Sequence, residues 1–322
     1  MRAYQYETAK QGLELKDLPI PSPKAGEVLL EIHAAGLCHS DVHIVRGQSD
    51  AWLAHKPITL GHEVAGRVVE LGTGVSNVQV GDRVVVGPPS QLPSIVGLGD
   101  SLGLGRDGGY GQFTTVTAER LIPLPNHVSF AAAAVSTDSM STAFHAVVTE
   151  GQVNSRSTVA IIGLGGLGLS GALIAVLQGA VVYGIDLDEQ KFAVAIENGV
   201  VACHKSLSSL QGVTLDVVID FAGVGSTTSD AIAAVKPTGR VVLVGLGTTK
   251  FEIDSNSLVL RNVSLRGSLG STSDEYISVL RLISEGKLVP LLVEIPFDDV
   301  PRGLDLLEQG KVVGRLFTNP NS

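Results

Sequence analysis

The chain has 322 residues, enough for two domains at roughly 100 to 200 residues each, and its 44% hydrophobic content can fill both cores. Two cysteines cannot build a disulfide framework. The 23 Lys plus Arg against 32 Asp plus Glu leave a formal charge of −9, which repels nucleic acid and anionic membranes.

The opening MRAYQYETAK lacks the apolar core of a signal peptide, so a reducing cytoplasm is the expected compartment. Segments 28–32, 62–71, 82–86 and 112–116 alternate or run apolar between Gly and Pro clusters, which predicts a partly closed antiparallel β domain. Within it, GPPSQLPSIVGLGDSLGLGRDG at 87–108 has weak periodicity and reads as an irregular surface loop or lobe. From about Met140 the rhythm changes. Apolar strands at 158–162, 181–185, 217–220, 241–244 and 263–266 are spaced by helical patterns, the signature of a parallel sheet covered by helices. No charge occurs from 157 to 185, longer than the roughly 20 residues that cross a bilayer, but seven glycines break the stretch into strand, turn and helix. Helical patterns at 273–285 and 300–309, with VPLLVEIPFDD between them and KVVGRLFTN after, predict a return to the first domain.

Gly163, Gly165 and Gly168 form G-x-G-x-x-G directly after the strand TVAII, and Gly166 and Leu167 lie inside the motif where a helix begins. The first glycine permits the tight turn and the second lets the main chain approach a pyrophosphate. The third allows helix and strand to pack closely, so that the helix N-terminus meets the phosphates. Asp186 ends the next strand, where a carboxylate would accept hydrogen bonds from the adenosine ribose hydroxyls. That favours NAD over NADP, since a 2′-phosphate would be repelled and no Arg follows Asp186 to receive it.

Cys38 lies in GLCHSDVH, His62 and Glu63 in GHE, and Asp138 in the Ser-Thr-Asp that opens a helical pattern. Singly they have ordinary explanations: Cys38 as a small buried hydrophobe, His62 as a satisfied core histidine, Asp138 as a helix N-cap. Together they offer what a catalytic zinc needs, three protein donors and an open position. Thiolate and carboxylate neutralise the ion while His62 stays neutral, and Glu63 either takes the fourth position or orients the ligands from behind.

The sequence resembles the zinc-dependent alcohol dehydrogenases of the medium-chain dehydrogenase/reductase superfamily, most nearly the yeast-type carbonyl reductases and secondary alcohol dehydrogenases. The matches run through GLCHSDVH, GHEVAGRVVELGTGVSNVQVGDRV, GRDGGYGQF, AAAVSTDSMSTAFHAV, GLGGLGL and VGLG. The resemblance implies Cys38, His62 and Asp138 as zinc ligands, with Asp138 at a position that is Cys in many relatives. It implies Ser40 and His43 as a proton relay, and His39 against the pyrophosphate. Thr142 would lie beside the nicotinamide, Val244 and Gly245 along the cofactor, and Arg315 near the phosphates. Trp52, Leu53, Leu92, Ile95, Phe144 and Leu269 would line the substrate pocket. Relatives usually carry a four-cysteine structural zinc in the lobe that here is 87–108 and has no Cys, so no structural zinc is expected.

The fold expected is α/β: a GroES-like β-rich catalytic domain over 1–139 and 271–322, and a Rossmann doubly wound parallel sheet over 140–270 with the site in the cleft between them. The activity expected is NAD(H)- and zinc-dependent oxidation of a small or medium apolar alcohol or reduction of a ketone or aldehyde. Two other readings are metal-free reduction of an activated double bond and a catalytically silent NAD-binding protein. No nucleic acid or membrane partner is expected. VSLRG at the sheet edge predicts pairing into a homodimer, with a tetramer as the alternative.

Overall fold

The computed structural model describes residues 1–90 and 99–322; Leu92 and Ile95, expected in the pocket wall, lie outside the described residues. The chain divides into two compact units, Met1–Asp138 with Thr272–Ser322, and Ser139–Ser271.

The first unit opens with a hairpin, β1 (Arg2–Tyr6) and β2 (Leu13–Asp17), paired antiparallel. It is followed by β3 (Glu27–Gly36) and α1 (His39–Val45). Then come the short β4 (Ile58–Thr59), β5 (Glu63–Leu71), β6 (Arg83–Val86), β7 (Phe113–Thr117) and β8 (Leu121–Pro123). The helix α2 (Phe130–Val135) starts earlier than the sequence suggested, because the Ala-rich run has high helix propensity and Ser129 caps it by accepting from the Ala132 amide. Asp138 is therefore no N-cap. It sits in the π-helical segment Ser136–Met140 that continues the helix, and such single-turn bulges are frequent at functional sites.

The second unit continues with α3 (Ser141–Phe144), then β9 (Thr158–Ile162), α4 (Gly166–Leu177), β10 (Val181–Ile185), α5 (Phe192–Glu197) and β11 (Ala202–His204). After these come β12 (Leu215–Asp220), α6 (Ser226–Ala234), β13 (Val235–Leu243), α7 (Ser255–Val259) and β14 (Ser264–Gly267). Its six strands order as β11-β10-β9-β12-β13-β14, all parallel. This is the doubly wound arrangement whose order reverses between β9 and β12, where such sheets bind dinucleotides. Cys203 lies within β11.

The chain then returns to the first unit through α8 (Ser273–Ser284), β15 (Leu292–Ile295), α9 (Val300–Glu308) and β16 (Arg315–Thr318). β16 joins β3 antiparallel and completes a seven-stranded sheet, β15-β16-β3-β5-β6-β8 with β7 also on β3. Its core is Val, Ile and Leu from β3, β5 and β6 with Leu37, Ile44, Tyr110, Leu304 and Leu316. That core fixes the end of β3 and the start of β5, Gly36 opposite Glu63, where the candidate ligands converge. No helix among the described residues is long and apolar enough to cross a membrane.

Candidate active site

Cys38, the adjacent His62 and Glu63, and Asp138 come from three separate stretches of sequence, yet the fold gathers one donor atom from each within 4.8 Å of the others. Cys38 is the N-cap of α1, His62 and Glu63 stand at the start of β5, and Asp138 comes from the π-helical segment. Cys38 Sγ is 3.3 Å from Asp138 Oδ2. Gly36 has no side chain because a Cβ there would stand 1.9 Å from Glu63 Oε2.

Asp41, which the sequence reading passed over, organises this cluster from behind. It is fully buried; its Oδ2 accepts from the Tyr110 hydroxyl at 2.7 Å and the Cys38 amide at 3.2 Å. Its Oδ1 faces His62 Nδ1 at 3.5 Å, and neither atom has a hydrogen bond among the described residues. Burial pushes the Asp41 carboxyl up, but His62, the Tyr110 hydroxyl and the Cys38 amide outweigh it and hold it below the usual carboxylate range. Burial likewise opposes the charged form of His62, and Asp41 with Cys38 overcomes it, so the imidazole is held well above its ordinary pKa. A carboxylate behind a histidine in this way fixes the tautomer and raises the basicity of the ring as a ligand.

Arg315, which the resemblance places near the cofactor phosphates, is buried in the first unit with its guanidinium on Glu63 Oε1 and 4.0 Å from Asp138 Oδ2. It balances the acidic side of the cluster. Burial raises the Glu63 carboxyl to about 8, Arg315 opposes that rise, and Asp138 adds to it. Among the described residues Glu63 Oε2 has no hydrogen bond. The donor set fits a zinc ion: one thiol, one imidazole and two carboxyls, with unpartnered polar atoms on Glu63 and on the His62 support, in a site where acidic groups repel one another unless a cation stands among them.

Ser40 and His43 stand three residues apart on one face of α1. The Ser40 hydroxyl is 3.6 Å from Cys38 Sγ, and His43 Nδ1 is 2.8 Å from Gln48 Oε1. His39, expected at the pyrophosphate, is kept below its ordinary pKa by burial and then by the Arg315 and His43 charges.

In the second unit, Gly163 turns at φ +84° and Gly165 caps α4. A Cβ on Gly168 would lie 1.7 Å from the Gly163 carbonyl oxygen, whereas one on Gly165 would project into space with no atom within 4 Å. That open cradle at a helix N-terminus fits a pyrophosphate. Asp186 Oδ2 accepts from the Leu164 amide at 2.7 Å, which ties the glycine turn to the end of β10. Lys191, which the search for a nearby Arg overlooked, donates to both Asp186 oxygens at 3.0 and 3.1 Å. Val244 and Gly245 follow β13 at the same sheet edge, and Thr142 is buried in α3. Of the named pocket residues, Trp52 and Leu53 pack partly buried against the first unit's core, Phe144 ends α3 and Leu269 is exposed.

Residues 24–126 match the family model of the alcohol dehydrogenase GroES-like domain, and residues 166–285 that of the zinc-binding dehydrogenases. An NAD-dependent alcohol dehydrogenase of Sulfurisphaera tokodaii is 30% identical over 99% of this chain and 100% of its own length. The chain belongs to the zinc-type alcohol dehydrogenases of the medium-chain dehydrogenase/reductase superfamily. Among solved structures of such dehydrogenases, the acetophenone reductase of Geotrichum candidum, in complex with NAD, superimposes with a TM-score of 0.89 at 33% identity, covering 99% of this chain and 96% of that one. The cobalt- and zinc-bound alcohol dehydrogenase of Pyrobaculum aerophilum gives 0.89 at 26% identity over 99% of each chain. In this zinc-type dehydrogenase the GroES-like unit supplies the donor cluster and the Rossmann unit the glycine turn.

Proposed function

We propose that this chain is a zinc- and NAD(H)-dependent alcohol dehydrogenase that also reduces ketones or aldehydes, with one zinc per chain. The observation that carries the reading is the convergence of Cys38, His62, Glu63 and Asp138 with Asp41 behind His62. When bound, the zinc would act as a Lewis acid on the substrate oxygen, and the nicotinamide would accept or give the hydride.

The chain's own residues prepare that chemistry. Cys38 and Asp138 supply negative charge to hold the ion, His62 supplies a neutral donor oriented by Asp41, and Arg315 keeps Glu63 turned to itself through Oε1. Ser40 carries the substrate hydroxyl proton away from the buried cluster. His43, half-buried three residues on, passes it to water. The Gly163 turn and the α4 N-terminus hold the pyrophosphate, and Asp186 with Lys191 holds the adenosine ribose. Metal-free reduction of a double bond would have no use for a buried thiol and carboxyls gathered in this way.

A structural zinc held by four thiolates is out of reach of a chain with two cysteines. The edge strand β14 pairs only with β13 among the described strands, which supports a homodimer formed by pairing this edge across a two-fold axis. Cys38→Ser tests the proposal: zinc and alcohol oxidation should both be lost while NADH binding stays. Retained turnover in that variant would refute the metal assignment.

A further inference from the structure

Asp220, at the end of β12, is fully buried and has no cationic partner among the described residues, yet its carboxylate is completely engaged. Oδ1 accepts from the Ala222 and Gly223 amides at 3.0 and 2.9 Å, and Oδ2 from the Thr227 and Thr228 hydroxyls, each at 2.7 Å. Its backbone carbonyl also accepts from the Val244 and Gly245 amides at 2.9 and 3.1 Å. One residue therefore ties its own loop, the start of α6 and the turn after β13 into one body.

That body abuts the cofactor turn. The Phe221 amide donates to the Ile162 carbonyl at 2.9 Å, directly before Gly163. A Cβ on Gly163 would stand 3.1 Å from the Ala222 nitrogen, and one on Gly223 would stand 1.9 Å from the Gly245 oxygen. The three loops at this edge of the sheet are thus in backbone contact, so a shift of the Asp220 loop shifts the surface on which a dinucleotide lies. In a doubly wound sheet each half takes one nucleotide. Asp186, directly after β10, marks the adenosine half, which leaves β12 and β13 for the nicotinamide half.

We infer that Asp220 is a positioning residue for the nicotinamide half of the cofactor: its four hydrogen bonds hold the loop after β12 and the loop after β13 in the shape that receives that nucleotide. The inference rests on the dinucleotide-binding reading above. A purely structural role would loosen the whole unit and weaken binding to both halves alike. A positioning role weakens the dinucleotide and spares adenosine monophosphate, which touches only the first half.

The test uses the full-length protein and the variants Asp220→Ala and Asp220→Asn, with NADH titrated by fluorescence and AMP by calorimetry. The alanine removes all four acceptor contacts, and the Kd for NADH should rise about tenfold or more, as expected when bonds to a charged acceptor are lost. Asparagine keeps Oδ1 for the two amides and offers its NH2 to the threonine oxygens, so it should recover most of that loss and stay within about threefold of the parent. The Kd for AMP should stay within about twofold in both, a change no larger than the scatter between distant sites. Parallel loss of NADH and AMP affinity, or NADH affinity unchanged in a folded alanine variant, would overturn the inference. If the alanine variant does not fold, Thr227→Val, which removes one bond to Oδ2, decides by the same comparison, with a rise of about fivefold or more expected in the Kd for NADH alone. If the parent protein binds no NADH, it is the functional proposal that fails rather than the role of Asp220.

Discussion

Gly165→Ala adds one methyl group at the N-cap of α4, where the backbone is extended at φ −75° and ψ −165°, a conformation open to any residue. Nothing lies within 4 Å of the position the new carbon would take. Alanine is a slightly poorer cap than glycine, and it narrows the unfolded chain's freedom, so two opposed effects of about 0.5 kcal/mol nearly cancel in stability. Binding is different, because the same space is the cradle for the pyrophosphate. A methyl group intruding on a fitted contact costs about 1–3 kcal/mol, roughly 5- to 150-fold in Kd. Gly168→Ala is the internal contrast: its Cβ would stand 1.7 Å from the Gly163 carbonyl oxygen, so the turn must break and stability falls with binding. Thermal melting and NADH titration on both variants separate the cases. A Gly165→Ala protein that melts like the parent and binds NADH equally well would refute the placement of the pyrophosphate.

Asp41→Asn should lower zinc affinity about 10- to 100-fold, the usual effect of removing the carboxylate behind a ligating histidine, as measured by chelator competition; an unchanged affinity would show that Asp41 serves only Tyr110 and the Cys38 amide. Asp186→Ala should cut the preference for NADH over NADPH by about tenfold or more, because the repelling carboxylate goes and Lys191 is freed to face a 2′-phosphate; an unchanged ratio of kcat/KM would mean the ribose is recognised elsewhere. Glu27 gives a pH dependence. Burial raises its carboxyl, but the Lys24 amide and Arg106, whose Nη2 is 2.5 Å away, outweigh that and hold it below 4.5. A depressed pKa stabilises the fold above the unfolded value and loses that contribution as pH falls through the folded one. Glu27→Gln should therefore melt lower than the parent near neutral pH, by no more than about 1 kcal/mol for a partly solvated pair, and the two should converge as pH falls through the depressed folded value. Curves that stay parallel across that range would contradict the assignment.

The parallel sheet was legible because its buried strands are short apolar runs with Gly-rich turns between them, and the cofactor turn because glycine spacing there is dictated by contacts within about six residues. The metal donors were legible as residue types and through the family resemblance, although no local spacing joins Cys38 to Asp138. Asp41 was not legible, since its role arises from Tyr110 and His62, distant in sequence and brought together only by the sheet. Lys191 was missed because arginine was sought, while the structure answers with a lysine one turn beyond Asp186. The hairpin of β1 and β2 carries Glu14, Lys16 and Asp17 in an edge strand with little apolar alternation, and β11 is three residues long, too short to show a period. The early start of α2 is set by Ser129 and an alanine run, whose helical preference a search for apolar periodicity does not register.

The most direct test of the account is elemental analysis of the purified full-length protein for moles of zinc per chain, on the same sample assayed for NADH-dependent ketone reduction before and after chelation. The account predicts one zinc per chain and an activity that disappears on chelation and returns with added zinc. Ketone reduction at full rate by protein free of zinc would contradict it.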